Sequence, residues 1–145
     1  MRVVVQRVQR AAVRVEGEVV GEIGGGLLLL VGIERGDGPA NAARAAAKLA
    51  TLRVFEDQAG RMNRDAAAAG AAFLVVSQFT LLASLAHGRR PSFDLAAPPE
   101  VAEPLVRALA ADLEARGFVV ATGSFGAHME VELVNDGPVT LVADF

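Results

Sequence analysis

Two short stretches of this 145-residue chain bring together groups suited to chemistry. Asn135-Asp136-Gly137-Pro138-Val139-Thr140 sets a Gly-Pro bond between two alternating apolar runs. A residue without a side chain beside a rigid ring can present bare backbone to a ligand. Ser77-Gln78-Phe79-Thr80 follows the apolar run Phe73-Leu74-Val75-Val76, which puts hydroxyls, an amide and an aromatic ring at the polar end of a strand. Two polar strand ends of this kind could make one site. Ser77 lacks the flanking glycines of a Gly-x-Ser-x-Gly nucleophile elbow. Thr80 has no His or carboxylate beside it in sequence, and an unactivated hydroxyl is a poor attacker. Asp57, Asp94, Asp136 and Asp144 form no spacing that demands paired acid-base chemistry or a metal, and His128 has no companion ligands. With no Cys there is neither a thiolate nucleophile nor a cysteine metal site, so no metal and no cofactor is expected.

The elements that must position these stretches follow from periodicity. Arg2 to Gln9 reads as a strand, and Ala12 to Val15 with Glu18 to Ile23 as a hairpin about Glu16-Gly17. Gly24-Gly25-Gly26 leads into the apolar run Leu27 to Ile33, a strand buried on both faces. Glycines that cradle phosphate follow a strand and open a helix; these open an apolar run and read as a bend. Asp37-Gly38-Pro39 starts a helix over Ala40 to Leu52, with Ala43, Ala46, Ala47 and Ala50 at helical spacing. Arg53 to Glu56 and Phe73 to Gln78 are strands separated by a small-residue loop. A second helix runs from Pro98 to about Arg116, with Pro104 tolerated only near its first turn and Leu105, Leu109 and Leu113 as its apolar stripe. Phe118 to Ala121, Met129 to Val134 and Val139 to Val142 are strands, the last two joined by the Asn-Asp-Gly-Pro turn as a hairpin. This pattern predicts one α+β domain over residues 1–145, a mainly antiparallel, barrel-like sheet with two principal helices.

The chain is 52% hydrophobic and 5% aromatic with no Trp or Tyr, so Leu, Val, Ala and seven Phe fill the core. The formal net charge of -3 argues against a protein that coats polyanions, and any nucleic-acid binding must rest on a local basic patch. The start of the chain breaks its apolar residues with charge, and the longest apolar run, Leu27 to Val31, is too short to span a membrane. A soluble, cytoplasmic protein is expected.

Ser77-Gln78-Phe79-Thr80-Leu81, Gly88-Arg89-Arg90-Pro91-Ser92-Phe93 and Asn135-Asp136-Gly137-Pro138-Val139-Thr140 resemble, in order and spacing, the signature segments of the D-aminoacyl-tRNA deacylases. The likeness extends to Gln6-Arg7-Val8, Leu52 to Asp57 and Gly123 to Met129. It implies hydrolysis of the ester joining a D-amino acid to the terminal adenosine of tRNA, by a homodimer. In that family a Gly-cisPro pair, here Gly137 and Pro138, enters the other subunit's active site. Fixed carbonyls there would clash with an L-residue and admit a D-residue, and glycyl-tRNA would pass as well. The resemblance assigns Ser77, Gln78, Phe79 and Thr80 to the catalytic centre, their backbone N–H groups stabilising the oxyanion. It leaves open whether Thr80 is a nucleophile or the tRNA 2′-hydroxyl assists water, and the second route is favoured. Phe79, Phe125 and Met129 would wall the adenine pocket, and Arg89 and Arg90 would meet tRNA phosphates. His87 departs from the family pattern, where a Lys is usual. A non-catalytic aminoacyl-tRNA or amino-acid binding module is the alternative, and a structural dimer whose Gly-Pro turn only joins strands is a third reading.

Overall fold

Alternation of apolar and polar residues from Arg2 onward builds one long strand, β1 (Arg2–Val15), in the computed structural model, which describes residues 1–86 and 88–145. The strand runs straight through the break expected after Gln9, with register irregularities around Val8 absorbing the change of face. Glu16 and Gly17 both take positive φ, 51° and 86°, and turn β1 into β2 (Glu18–Ile23), the expected hairpin. Next, β3 (Gly26–Gly32) lies antiparallel to the first half of β1, and Leu27, Leu28 and Leu29 are fully buried.

Pro39 opens α1 (Pro39–Ala50), whose buried face is Ala42, Ala45, Ala46, Leu49 and Ala50. That face is rotated from the expected one: Ala43 is exposed, because Leu49 is the large apolar residue that must reach the core. The strand expected over Arg53 to Glu56 is present as β4 (Phe55–Glu56), and within the segment expected as a loop β5 (Met62–Arg64) pairs antiparallel with it, followed by the single turn α2 (Ala66–Ala69) capped by Asp65. The central strand β6 (Ala72–Ser77) pairs parallel with β3. Helix α3 (Pro99–Ala115) buries Leu105, Leu109 and Leu113 as expected, and continues through Pro104, further into the helix than its first turn. Pro104 lies on the solvent side, where the carbonyl it leaves without an N–H can meet water. After it, β7 (Val120–Thr122) pairs parallel with β6.

The last strand corrects the sequence reading. Residues 129–142 make no hairpin about Asn-Asp-Gly-Pro. They belong to one strand, β8 (Glu130–Asp144), antiparallel to β1 on both sides of that segment. Gln6 faces Thr140 and Val8 faces Asn135, so residues 136–139 bulge out opposite the single residue Arg7. A hairpin would fold residues 139–142 back on residues 129–134; β1 is long enough to pair with both halves instead.

The sheet order is β2-β1-β3-β6-β7 with β8 on the far edge of β1. Antiparallel pairs dominate at β1, while β3, β6 and β7 run parallel through helical crossovers. The sheet curls until β2 meets β7, giving an almost closed α+β barrel with one core under α1 and α3 and a second inside the barrel around Val13, Leu28, Leu74 and Val76. Among the described residues no helix is long and apolar enough to cross a membrane.

Candidate active site

The parallel strand β6 delivers Ser77 to the carboxyl edge of the sheet, where the Gln78 N–H makes a last rung to the Val31 carbonyl at 2.7 Å. The chain then tightens into a 3-10 turn, Phe79–Leu82. Such a turn leaves its first amides without an intrahelical acceptor, and the N–H groups of Phe79 and Thr80 donate to no protein acceptor among the described residues. Gln78 Nε2 donates to Thr80 Oγ1. Phe79 is 57% exposed and meets Phe93 edge to face, with ring centroids 5.0 Å apart.

Two cavities open beside Ser77. The apolar one, about 360 Å³, lies between Val31, Ile33, Phe79, Ala97, Ala102 and Phe125, with Ser77 and Gln78 at its polar edge. The other, about 480 Å³, is bounded by Thr122, Ser124, Glu103 and Arg107 and shares Ser77, Val106 and Phe125 with the first. A flat apolar ring and a hydroxyl-rich group could therefore be held on either side of Ser77, with two undirected N–H donors next to it. The only partner of the Thr80 hydroxyl among the described residues is an amide N–H, a donor, which cannot take its proton.

The turn is anchored from the side: Arg2 Nη1 donates to the Leu81 carbonyl at 3.4 Å while Arg2 Nε holds Asp144 at 2.8 Å. The same guanidinium keeps the Asp144 carboxyl below the usual carboxylate range. Met129, expected in the adenine pocket, packs its sulfur against Gly123 in the barrel core and lines neither cavity. Arg89 and Arg90 are exposed in the loop between Ser84 and Ser92. His87 lies outside the described residues, and His128 is exposed beside Arg14 and Glu16. No cluster of three or more potential metal ligands occurs among the described residues.

Gly137 and Pro138 are joined by a cis peptide bond and are both exposed. Gly137 takes φ +127°, and a Cβ there would lie 2.9 Å from Val139 Cγ2 and 3.1 Å from Arg7 Nη2. Asn135 Oδ1 accepts the Val139 N–H at 2.9 Å and closes the base of the bulge. Arg7 holds it from below: Nε donates to the Asp136 carbonyl at 3.1 Å and Nη1 to the Val54 carbonyl at 2.6 Å, with Glu56 at 3.5 Å. At 4% exposure Arg7 is the one buried charged residue among those described. Sequence reasoning gave it no role, yet the signal was there: period-two alternation puts Arg7 on the inward face with Val3 and Val5.

Within one chain the two candidate segments do not meet. Ser77 stands opposite Val31 and hence Val3, whereas the bulge stands opposite Arg7, and strands β1 and β3 lie between β8 and β6. Three strand spacings and four residues along a strand separate them by roughly 20 Å.

Residues 4–144 match the family described as D-Tyr-tRNA(Tyr) deacylase. The chain belongs to the D-Tyr-tRNA(Tyr) deacylase family. Membership makes it a hydrolase. A D-aminoacyl-tRNA deacylase of Symbiobacterium thermophilum is 58% identical over 144 residues, covering 99% of this chain and 95% of the relative. One of Heliobacterium modesticaldum is 55% identical over 144 residues, covering 99% and 96%. Among solved structures, the c-Myc DNA unwinding element binding protein superposes on this deacylase-family chain with a TM-score of 0.93 at 38% identity, covering 100% of this chain and 99% of the other. A probable eukaryotic D-amino acid tRNA deacylase shares the fold, with a TM-score of 0.84 at 17% identity over 99% of this chain and 98% of the other.

Proposed function

We propose that this chain is a cytoplasmic homodimer that hydrolyses the ester between a D-amino acid and the 3′-terminal adenosine of tRNA. Water adds to the ester carbonyl, the acyl–oxygen bond breaks, and free D-amino acid and tRNA leave. The adenine occupies the apolar cavity against Phe125, and the carbonyl oxygen meets the free N–H groups of Phe79 and Thr80 as charge develops on it. Thr80 and Gln78 orient the substrate, and the tRNA 2′-hydroxyl assists the attacking water. In each cleft the Gly137-Pro138 pair of the other subunit bars L-residues by the steric bulk of its carbonyls.

The observation that carries this reading is the separation of the two segments: a rigidly braced Gly-Pro bulge stands exposed about 20 Å from its own cleft. A second copy can bring bulge and cleft together, and the unpaired outer edge of β8 offers a place to dock. A steric filter has no grip on a side chain, so many D-amino acids and glycyl-tRNA are accepted. Discrimination of ten-thousandfold corresponds to about 5.5 kcal/mol, within reach of a hard clash.

The test is deacylation of D-tyrosyl-, L-tyrosyl- and glycyl-tRNA by purified protein. The D and glycyl esters are cleaved and the L ester survives; equal rates for the two tyrosyl esters overturn the filter, and binding without turnover identifies a carrier module. Thr80→Val separates the chemical routes. A loss of up to about tenfold in kcat, or roughly 1.4 kcal/mol, fits positioning, and near-complete loss with binding retained fits a nucleophile.

A further inference from the structure

Positive charge is unevenly spread along this acidic chain. Residues 44–64 contain five basic residues (Arg44, Lys48, Arg53, Arg61, Arg64) and two acidic ones (Glu56, Asp57), a net of 5 − 2 = +3 in a chain of net charge -3. The cations also differ in how they are satisfied. Arg2, Arg10, Arg107 and Arg116 each face a carboxylate at 2.5 to 2.8 Å. Arg44 and Lys48, one turn apart on the exposed face of α1, have no acidic partner among the described residues. Like charges at that spacing repel, which offsets what Lys48 gains from lying in the last turn of the helix. Arg61 is 77% exposed and reaches Asp57 only at 3.4 Å. That carboxylate is already engaged by the N–H groups of Arg61 and Ala59, which hold its pKa below the usual range. Arg64 donates to the neutral Ala68 carbonyl and keeps its charge unopposed.

These residues are mechanically tied to the Gly-Pro bulge. Arg7 links the Asp136 carbonyl directly to Val54 and Glu56, the segment that joins α1 to β5, and Arg53 fastens that segment to Asn63 at 2.7 Å. The β4–β5 hairpin that carries Arg61 and Arg64 is thereby braced against the bulge, and Arg44 and Lys48 stand on the helix that leads into it. Wherever the bulge is inserted, the cations arrive with it.

We propose that Arg44, Lys48, Arg61 and Arg64 form a phosphate-binding surface for the acceptor strand of the tRNA whose 3′ end lies in the cleft of the other subunit. The inference rests on the reciprocal-dimer reading above and adds to it that one tRNA is held by both subunits, chemistry on one and backbone contacts on its partner. Guanidinium and ammonium groups without carboxylates are the groups that exchange hydration for phosphate most readily, and such contacts fix register without reading sequence.

The experiment compares D-tyrosyl-tRNA with D-tyrosyl-adenosine, which carries the same ester without phosphates. In Lys48→Glu/Arg61→Glu the ratio of KM for the tRNA to KM for the adenosine ester rises about tenfold or more at low salt, and the slope of log KM against log salt for the tRNA falls by about 1.5. Lys48→Gln/Arg61→Gln gives a smaller rise in the same direction and Lys48→Arg/Arg61→Lys restores the ratio, which separates charge from misfolding. Mixed dimers locate the surface. With Ala102→Phe filling the cleft, placing the block and the charge reversal on different subunits leaves one site with the wild-type tRNA KM at half the kcat. Placing both on one subunit raises KM at the surviving site. An unchanged KM ratio, or the opposite pattern in the mixed dimers, overturns the proposal while D-specific hydrolysis of the adenosine ester still stands. Loss of D over L preference with that ester in the wild-type protein would instead sink the underlying reading.

Discussion

The geometry of the Gly137-Pro138 bulge depends on a single side chain in its own chain. Arg7 makes two bonds to main-chain carbonyls that have no strand partner and leans on Glu56 and Asp136, all from a position 4% exposed. Removing the guanidinium strands the Val54 carbonyl in the interior and leaves a void beneath Gly137. Charge-assisted bonds of this kind are worth about 1.5 to 3 kcal/mol each when one partner is lost, softened here by the partial exposure of both carboxylates. Arg7→Ala is expected to lower the unfolding free energy by about 3 kcal/mol, read as a shift in the urea midpoint at unchanged slope. D over L selectivity should collapse further than kcat for the D-substrate, because the cleft at Ser77 is untouched. Arg7→Lys keeps the charge but not the fork, so it recovers part of the stability and little of the selectivity. A stability change under about 0.5 kcal/mol for Arg7→Ala would show that the bulge is braced by something else.

At the scale of elements, the triple glycine shows what a sequence tells and what it hides. Gly24 and Gly25 have open space where a Cβ would stand, and they are the bend that their composition implies. Gly26 is different: a Cβ there would lie 2.0 Å from the Ala72 carbonyl oxygen, where β3 and β6 begin to pair. Backbone cannot step aside as a flexible side chain can, so Gly26→Ala is expected to cost at least about 3 kcal/mol, at or beyond the upper end of ordinary overpacking. Gly24→Ala should shift the thermal midpoint by no more than a degree or two, and equal midpoints for the two variants would contradict the close approach. Elements with local signals were legible: the β1–β2 turn, the buried β3, both long helices and the polar end of β6. What failed depended on contacts distant in sequence. Nothing in residues 129–142 reveals that β1, over a hundred positions earlier, is long enough to take both halves of β8 and turn a hairpin into a bulge. The strand at Phe55–Glu56 was legible, but its partner β5 was missed because three residues are too few for any period to show. Met129, just before β8, packs against the barrel core.

For the whole molecule, charge and surface set different limits. The carboxyls of Asp57, Glu132 and Asp144 sit below their ordinary values, held respectively by backbone N–H groups, by Arg10 and by Arg2. A carboxyl whose pKa is lower folded than unfolded contributes stability above its unfolded value and loses it as pH falls through the folded one. These groups therefore contribute their full stability near neutrality and lose it from about pH 4.5 downward. Because Glu132 and Asp144 are exposed, their share of the erosion is shallow; urea midpoints at falling pH should show it, with these two arginine-paired groups contributing less at high salt. The surface limit is stronger. Strand β8 is fifteen residues long and pairs only with β1 among the described residues, so a full row of backbone donors and acceptors faces outward. On the side of the sheet away from the helices, Val142 is 66% exposed and continues a row with Val4 and Leu30, both only half-buried. Monomeric proteins blunt such an edge with lysine, proline or a covering loop, and the one proline here sits in the bulge rather than on the flat part of the strand. In the proposed dimer a second copy of the chain covers this edge and brings a Gly-Pro bulge to each cleft. Val142→Lys is expected to convert the proposed dimer to a folded monomer by light scattering at micromolar concentration, and with it to abolish hydrolysis of D-aminoacyl esters although every residue around Ser77 is intact. A wild-type protein that is monomeric and fully D-selective at that concentration would break the link between the open edge and the filter, since one chain cannot bring its own bulge across the sheet.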